Sequence, residues 1–211
     1  MKEIRKGAEP RSLVEHRASE HADYDNYGGK DDLRQSLVGE QGAICCYCMR
    51  RIGAVAGRMK IEHWQCQDHY PERQLDYRNL LGACPGNEGE AHDKQHCDSY
   101  KGNLALSRNP ADPAHRVEAL LQYLPDGSVM SPDNRFNREL EKVLNLNLPL
   151  LRNNRKAVLD ALKESLQGKP PLKAADLKRM IGDWSGRSGA GEFREYCEVV
   201  VYWLNKRLAR V

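Results

Sequence analysis

Residues 41–104 read QGAICCYCMRRIGAVAGRMKIEHWQCQDHYPERQLDYRNLLGACPGNEGEAHDKQHCDSYKGNL. Cys45 and Cys48 form a C-x-x-C, and Cys84 and Cys97 can supply a second pair of thiolates. Four thiolates suit a structural zinc, because an all-cysteine tetrahedral site is closed, redox-silent and able to staple loop-rich chain. Between the pairs stands Glu62-His63, followed by a Tyr-x-Asn-Leu-Leu run carrying Asn79, and behind Cys97 come Asp98 and Lys101. Glu62 and Asp98 offer the hard oxygen ligands that magnesium or manganese prefers. His63 is a base that titrates near neutrality and can take a proton from water. Carboxylates, a histidine and a lysine that neutralises a backbone phosphate are the groups phosphodiester hydrolysis requires.

Other residues in the window remain alternatives. Cys66 and His69 form a C-x-x-H that could act as a zinc half-site, and His96 could replace Asp98 beside the catalytic ion. Cys46 reads as an inert packed thiol, His92 as a loop residue and remote Cys197 as core. Arg50, Arg51, Arg58 and Lys60 flank the apolar GAVA before Glu62. They read as a phosphate-contacting patch or as a solvated turn, and the sequence does not choose.

The chain has 211 residues, 40% of them apolar and 30% charged, with a net charge of +3. Mean hydropathy is −0.75 and the pI near 8.4. This thin apolar content predicts metal stapling, a large polar surface or a partner. The weak basicity permits nucleic-acid binding without indicating it. No apolar run is long enough to cross a membrane, and the first residues have no apolar signal core, so a cytoplasmic, membrane-free location is expected. Six of the seven cysteines crowd into one segment, which favours metal over disulfides.

Outside the window, SLVE at Ser12 is a capping-box pattern for a first helix, and DYDNYGGKDD is turn chemistry. Tyr24 and Tyr27 read as half-packed surface tyrosines. Asp31 or Asp32 starts a helix with Leu33 and Leu37 on one face. MKIEHW predicts a strand with Glu62 and His63 at its end. A proline-punctuated linker then leads to a helix over 117–121 and a hairpin turn at PDGSV. Helical periodicity begins at Phe136 and continues over 150–166, broken by KPP, then over 174–184 and 192–208. In the helix over 150–166, Arg152, Arg155 and Lys156 read as a charged solvent face.

The order CxxC…EH…N…C…CDxxK resembles the HNH, or ββα-metal, nucleases. The resemblance implies an α+β fold: a zinc-stapled ββα core over 41–104, an N-terminal arm and helix over 1–40, and a mainly helical region over 105–211 for partner docking and core. It implies that His63 is the general base, that Asn79 pins the loop and the base, and that Glu62 and Asp98 hold the catalytic ion. Lys101 falls on the trailing lysine of the motif. Two departures stand out: PGNEGEAHDKQH interrupts the second knuckle, and Asp98 replaces the more usual His or Asn. The opening MKEIRKGAEPRSL, the EQGAICCYCMRRI knuckle, KIEHW, LDYRNLLGACPGNEG, HCDSYKGN and the later VLNLN…LRNNRKAV resemble, over most of the chain, the HNH-protein family of Septu anti-phage systems, whose relatives accompany some retrons. That family implies a separate ABC/SMC-like ATPase, PtuA, as partner. The substrate expectation is DNA, with RNA such as transfer RNA as the other reading. A noncatalytic zinc module, binding nucleic acid or acting as an assembly adaptor, is the competing class. A thiol oxidoreductase is remote, since its CxxC would open a helix in a βαβ context.

Overall fold

The computed structural model describes residues 1–168 and 170–211 as an α+β chain. Helices α1 (Arg11–Arg17) and α2 (Lys30–Glu40) precede the hairpin of β1 (Lys60–His63) and β2 (Leu80–Ala83). A single helical turn, α3 (Asp98–Lys101), follows. The remainder comprises a small hairpin of β3 (Gln122–Tyr123) and β4 (Val129–Met130), then α4 (Asn134–Lys142), α5 (Pro149–Leu166), α6 (Ala174–Ser185) and α7 (Cys197–Leu208).

The central hairpin is antiparallel, with Glu62 opposite Leu81 and His63 opposite Leu80. Both ends of β1 matter. Lys60 and Ile61 are half-buried, whereas Glu62 and His63 are buried, so the strand delivers two adjacent polar groups to the interior. Buried Gln41 fixes the partner strand, donating to the Gly82 carbonyl at 2.8 Å and accepting from the Gly82 amide at 2.6 Å.

Leu33 and Leu37 lie on the buried face of α2, as the leucine spacing predicts, but the helix begins at Lys30 with Gly29 at its cap, so Asp31 and Asp32 sit in the first turn instead of starting it. The capping box at Ser12 does not form. Pro10 occupies the cap position of α1 without a side-chain hydrogen bond, and the Ser12 hydroxyl instead meets Tyr27 Oη at 2.9 Å. Tyr27 is thereby buried rather than half-packed. The helix expected over 117–121 is absent. Pro113–His115 form a 3-10 turn, Arg116 adopts a left-handed conformation, and the chain passes through turns into β3. In contrast, the PDGSV hairpin forms, and Gly127 at φ +81° is required there: a Cβ would stand 2.0 Å from the Arg152 carbonyl on α5.

The helix expected over 192–208 begins only at Cys197, because the preceding residues are committed to the first cysteine loop. Phe193 N donates to Gly42 O at 2.9 Å and Tyr196 N to Met49 O at 3.3 Å. Lys169, part of the expected KPP break, lies outside the described residues, and α5 ends at Leu166. Apolar residues of α7 pack against α5, α6 and β3, so this helix is core. One continuous core cluster runs from Met1 to Leu204, uniting all three regions of the chain. Lys2 Nζ meets Glu198 of α7 at 2.6 Å, and the Ile4 amide donates to Pro110 O at 2.8 Å. No helix among the described residues is long and apolar enough to cross a membrane.

Candidate metal centre and the cleft beside it

Cys45, Cys48, Cys84 and Cys97 converge, all buried, with their sulfurs within 4.8 Å of one another. The Cys45–Cys97 and Cys48–Cys84 separations are 3.9 and 3.6 Å. A tetrahedron of zinc–sulfur bonds of ~2.3 Å has edges of ~3.8 Å, so the four sulfurs fit one zinc ion. The interrupted second knuckle closes through backbone geometry. Gly86 at φ +62° lets its carbonyl accept from the His96 amide at 3.0 Å, and a Cβ there would stand 2.2 Å from His96 O. Cys97, at φ +57°, donates its amide to Leu144 O at 2.9 Å, so the helical region buttresses the second pair.

The thiol electrostatics favour a cation. Burial opposes ionisation of Cys45, yet hydrogen bonds from Cys46, Cys48, Cys84 and Cys97 overcome it and hold this thiol well below its ordinary value. Burial pushes Cys97 well above it, with the neighbouring sulfurs acting in the same direction. Burial and the Cys45 sulfur also work against ionisation of Cys48, but hydrogen bonds from Cys84 and Cys97 bring it down to about 7, and a bound metal would displace the protons that remain.

The alternative ligands go elsewhere. His96 is fully buried against the sulfurs, its Nδ1 3.2 Å from Cys97 Sγ and 3.9 Å from Cys84 Sγ. It therefore lies against the cysteine group and does not line the Glu62–Asp98 cleft. Cys46 and Cys197 are buried outside the four-cysteine group, and Cys66 lines a separate cleft while His69 is exposed. His92 lies in a 3-10 turn and stacks on Tyr100.

That cleft, about 300 Å³ in volume, is lined by Lys60, Glu62, His63, Asp98 and Asn103 among others. Asp98 opens α3 one residue after Cys97, so the cysteine group and the carboxyl share one turn of chain. Burial, then the Asp98 charge, pushes the Glu62 carboxyl well above the carboxylate range. Asp98 is itself held below that range: burial works against ionisation, but a hydrogen bond from Glu62 and the Lys60 charge prevail. The two carboxyls are thus driven in opposite directions, and their oxygens are the donor type that a hard divalent ion prefers. Tyr47, between Cys46 and Cys48 in sequence, donates to Glu62 Oε1 at 2.6 Å. Nothing in the sequence pattern marks that role.

His63 Nε2 lies 3.0 Å from the Gln74 carbonyl. A carbonyl only accepts, so Nε2 carries the proton and Nδ1 retains the lone pair. The ring is also held edge-on to Tyr24, centroids 4.5 Å apart. Burial lowers the His63 pKa below its ordinary value, which keeps the imidazole neutral. Asn79 is buried behind the cleft and closes the 64–79 loop. Its Oδ1 accepts from Gln65 N at 2.8 Å, and its Nδ2 donates to the Gln65 and Arg73 carbonyls at 2.9 and 3.1 Å. The Asp76 carboxylate, capping the 3-10 turn Tyr77–Asn79, sets this position.

Lys101 does not stand at the mouth of the cleft. Its side chain is 1% exposed, with Nζ 2.9 Å from Glu62 Oε1 and 3.1 Å from His63 O. Four methylenes carry the ammonium inward from α3, beneath the strand end. Lys60 occupies the mouth instead, 3.1 Å from Asp98 Oδ2. Of the other basic residues, Arg58 is exposed and Arg50 half-buried near His96. The Arg51 guanidinium is committed to the Phe193 carbonyl at 2.7 Å and Glu192 at 3.2 Å, tying the cysteine loop to the approach to α7. Arg155 is also inside, not on a solvent face: it is 2% exposed and donates to Gly127 O at 2.6 Å and Leu146 O at 2.7 Å. Arg152 and Lys156 do lie outward, paired with Asp126 and Asp160.

These features define an α+β protein with a buried four-cysteine group able to hold zinc, joined to a cleft of paired carboxyls and a neutral histidine. No protein-family model matches the chain. Over 82 residues it is 27% identical to the Septu protein PtuB of Bacillus thuringiensis. That alignment covers 39% of this chain and 28% of the relative's own length. The similarity supports a Septu-related protein.

Proposed function

We propose that the protein is a metal-dependent HNH endonuclease, the nuclease component of a Septu-type anti-phage defence complex with an ABC/SMC-like ATPase. The observation that carries this reading is the convergence of Glu62, His63 and Asp98 on one cleft, with His63 Nδ1 left as a lone-pair donor. Glu62 and Asp98 are the residues that would hold magnesium or manganese, which when bound supplies charge stabilisation for a phosphodiester under attack. His63 takes a proton from the attacking water at Nδ1, and the Gln74 carbonyl stabilises the imidazolium that forms. Asn79 fixes the loop from which Gln74 projects its carbonyl. Lys101 and Tyr47 position Glu62, and Lys60 provides positive charge at the opening for the backbone of DNA, or of RNA under the second substrate reading. Zinc on the four cysteines supports the fold and takes no part in the reaction.

The test is magnesium- or manganese-dependent cutting of plasmid DNA and total cellular RNA, with Asp98→Asn as comparison and the partner ATPase present and absent. Loss of cutting in the variant supports the cleft; equal cutting removes it.

The adaptor reading has one observation in its favour: Glu62 Oε1 is already satisfied by Tyr47 and Lys101. Under that reading the carboxyl is structural, and Asp98→Asn changes no activity.

A further inference from the structure

Trp64 follows His63 directly, yet it lines a different cavity. The end of β1 separates the two, with His63 facing the carboxyl cleft and Trp64 a pocket of about 700 Å³ bordered by Arg5, Arg73, Arg78 and Asn109. This volume falls within the ~300–1,000 Å³ typical of small-ligand sites.

The charge at this pocket is not balanced. Lys6 is paired with Glu40, and Arg73 with Asp76 at 2.7 Å. Arg5 and Arg78 are both exposed and have no carboxylate partner among the described residues. Asp112 is the acid in the lining, with one oxygen taken by the Ala114 amide at 2.9 Å and the other 3.9 Å from His115. Two guanidinium groups without a salt-bridge partner, from distant parts of the sequence, are suited to a phosphate, which accepts bidentate bonds from each. Trp64 is half-buried beside them, its indole N–H directed to Arg108 O at 3.3 Å. In the same wall, Gln65 Oε1 and Arg73 Nε are buried with no hydrogen-bond partner. An unpaired buried carbonyl or N–H is a cost that a polar ligand edge can relieve.

We propose that this pocket binds a nucleotide, its phosphate on Arg5 and Arg78 and its base against Trp64. The nucleotide is either free or one unit of a single strand; both present the same chemistry. The pocket stands on its own residues, whatever the carboxyl cleft does.

The experiment uses the full chain without added magnesium or manganese, titrated with a short oligothymidylate, adenosine triphosphate and inorganic tripolyphosphate while tryptophan fluorescence is followed. The expected result is quenching by the oligonucleotide, the nucleotide or both, lost in Trp64→Phe although binding persists. Binding by the strand alone assigns the pocket to a strand, and by the triphosphate alone to a free nucleotide. Arg5→Gln with Arg78→Gln, both at exposed positions, should weaken binding at least about tenfold and lower the salt slope for a single strand by roughly 0.7, for the one phosphate they hold. Unchanged affinity and slope in that double variant would overturn the proposal. So would an absence of quenching by both probes, or tripolyphosphate binding as tightly as the nucleotide.

Discussion

Lys101 Nζ lies 2.9 Å from Glu62 Oε1, and each side chain is only 1% exposed. The pair is the hidden support of the cleft: the lysine reaches both the carboxyl and the carbonyl of His63. Breaking such a pair leaves an uncompensated buried group and costs on the order of 3 kcal/mol. Lys101→Met should lower the urea midpoint accordingly, and adding Glu62→Gln should restore part of the loss. A Lys101→Met protein as stable as wild type would mean that the pair is incidental.

The cysteine group gives a separate prediction. Cys48→Ser, or treatment with a strong chelator, should release the zinc and unfold or aggregate the chain, because structural metal binding contributes folding free energy directly. Metal analysis with circular dichroism is the measurement. Cys197→Ser should keep its zinc, since Cys197 is buried outside the group. A folded, zinc-loaded Cys48→Ser protein would contradict the four-cysteine site.

Gly86 offers a backbone test of the same centre. At φ +62° with His96 O in the space a Cβ would fill, Gly86→Ala should destabilise by more than about 1 kcal/mol. Weakened zinc retention should accompany the loss, read by competition with a chromogenic chelator. Gly89, also at positive φ but facing open space, is the control and should cost less when changed to alanine.

His63 predicts a pH profile. Burial lowers its folded pKa, so a base at this position is neutral and competent down to below the ordinary value of about 6.5. Cleavage should therefore rise with pH along a limb centred below 6.5 and be flat near neutrality. The sign for stability agrees: the unfolded chain binds the extra proton first, so this group destabilises the fold as pH falls through the ordinary value. A rate limb centred above 6.5 would place the general base elsewhere.

Much of this was legible in sequence for local reasons. The C-x-x-C spacing, the leucine pair of α2 and the DG turn are set by short-range geometry, and each forms. The groups misread were long cationic side chains and a short helix. Lys101 and Arg155 look like surface charge in any linear pattern, but buried carboxylate and carbonyl acceptors far along the chain draw them inside. Residues 117–121 carry helix formers, yet the preceding 3-10 turn and the left-handed Arg116 set a different path. Tyr47 and Gln74 act through a hydroxyl and a main-chain carbonyl, which no spacing rule exposes.

The most direct test of the central claim compares wild type with His63→Ala in magnesium- or manganese-dependent cutting of plasmid DNA and total cellular RNA, with the ABC/SMC-like ATPase supplied. The account predicts metal-dependent cutting by wild type, lost in His63→Ala while zinc content and circular dichroism are unchanged. Equal cutting by both proteins, or none by wild type in the presence of the ATPase, would contradict it.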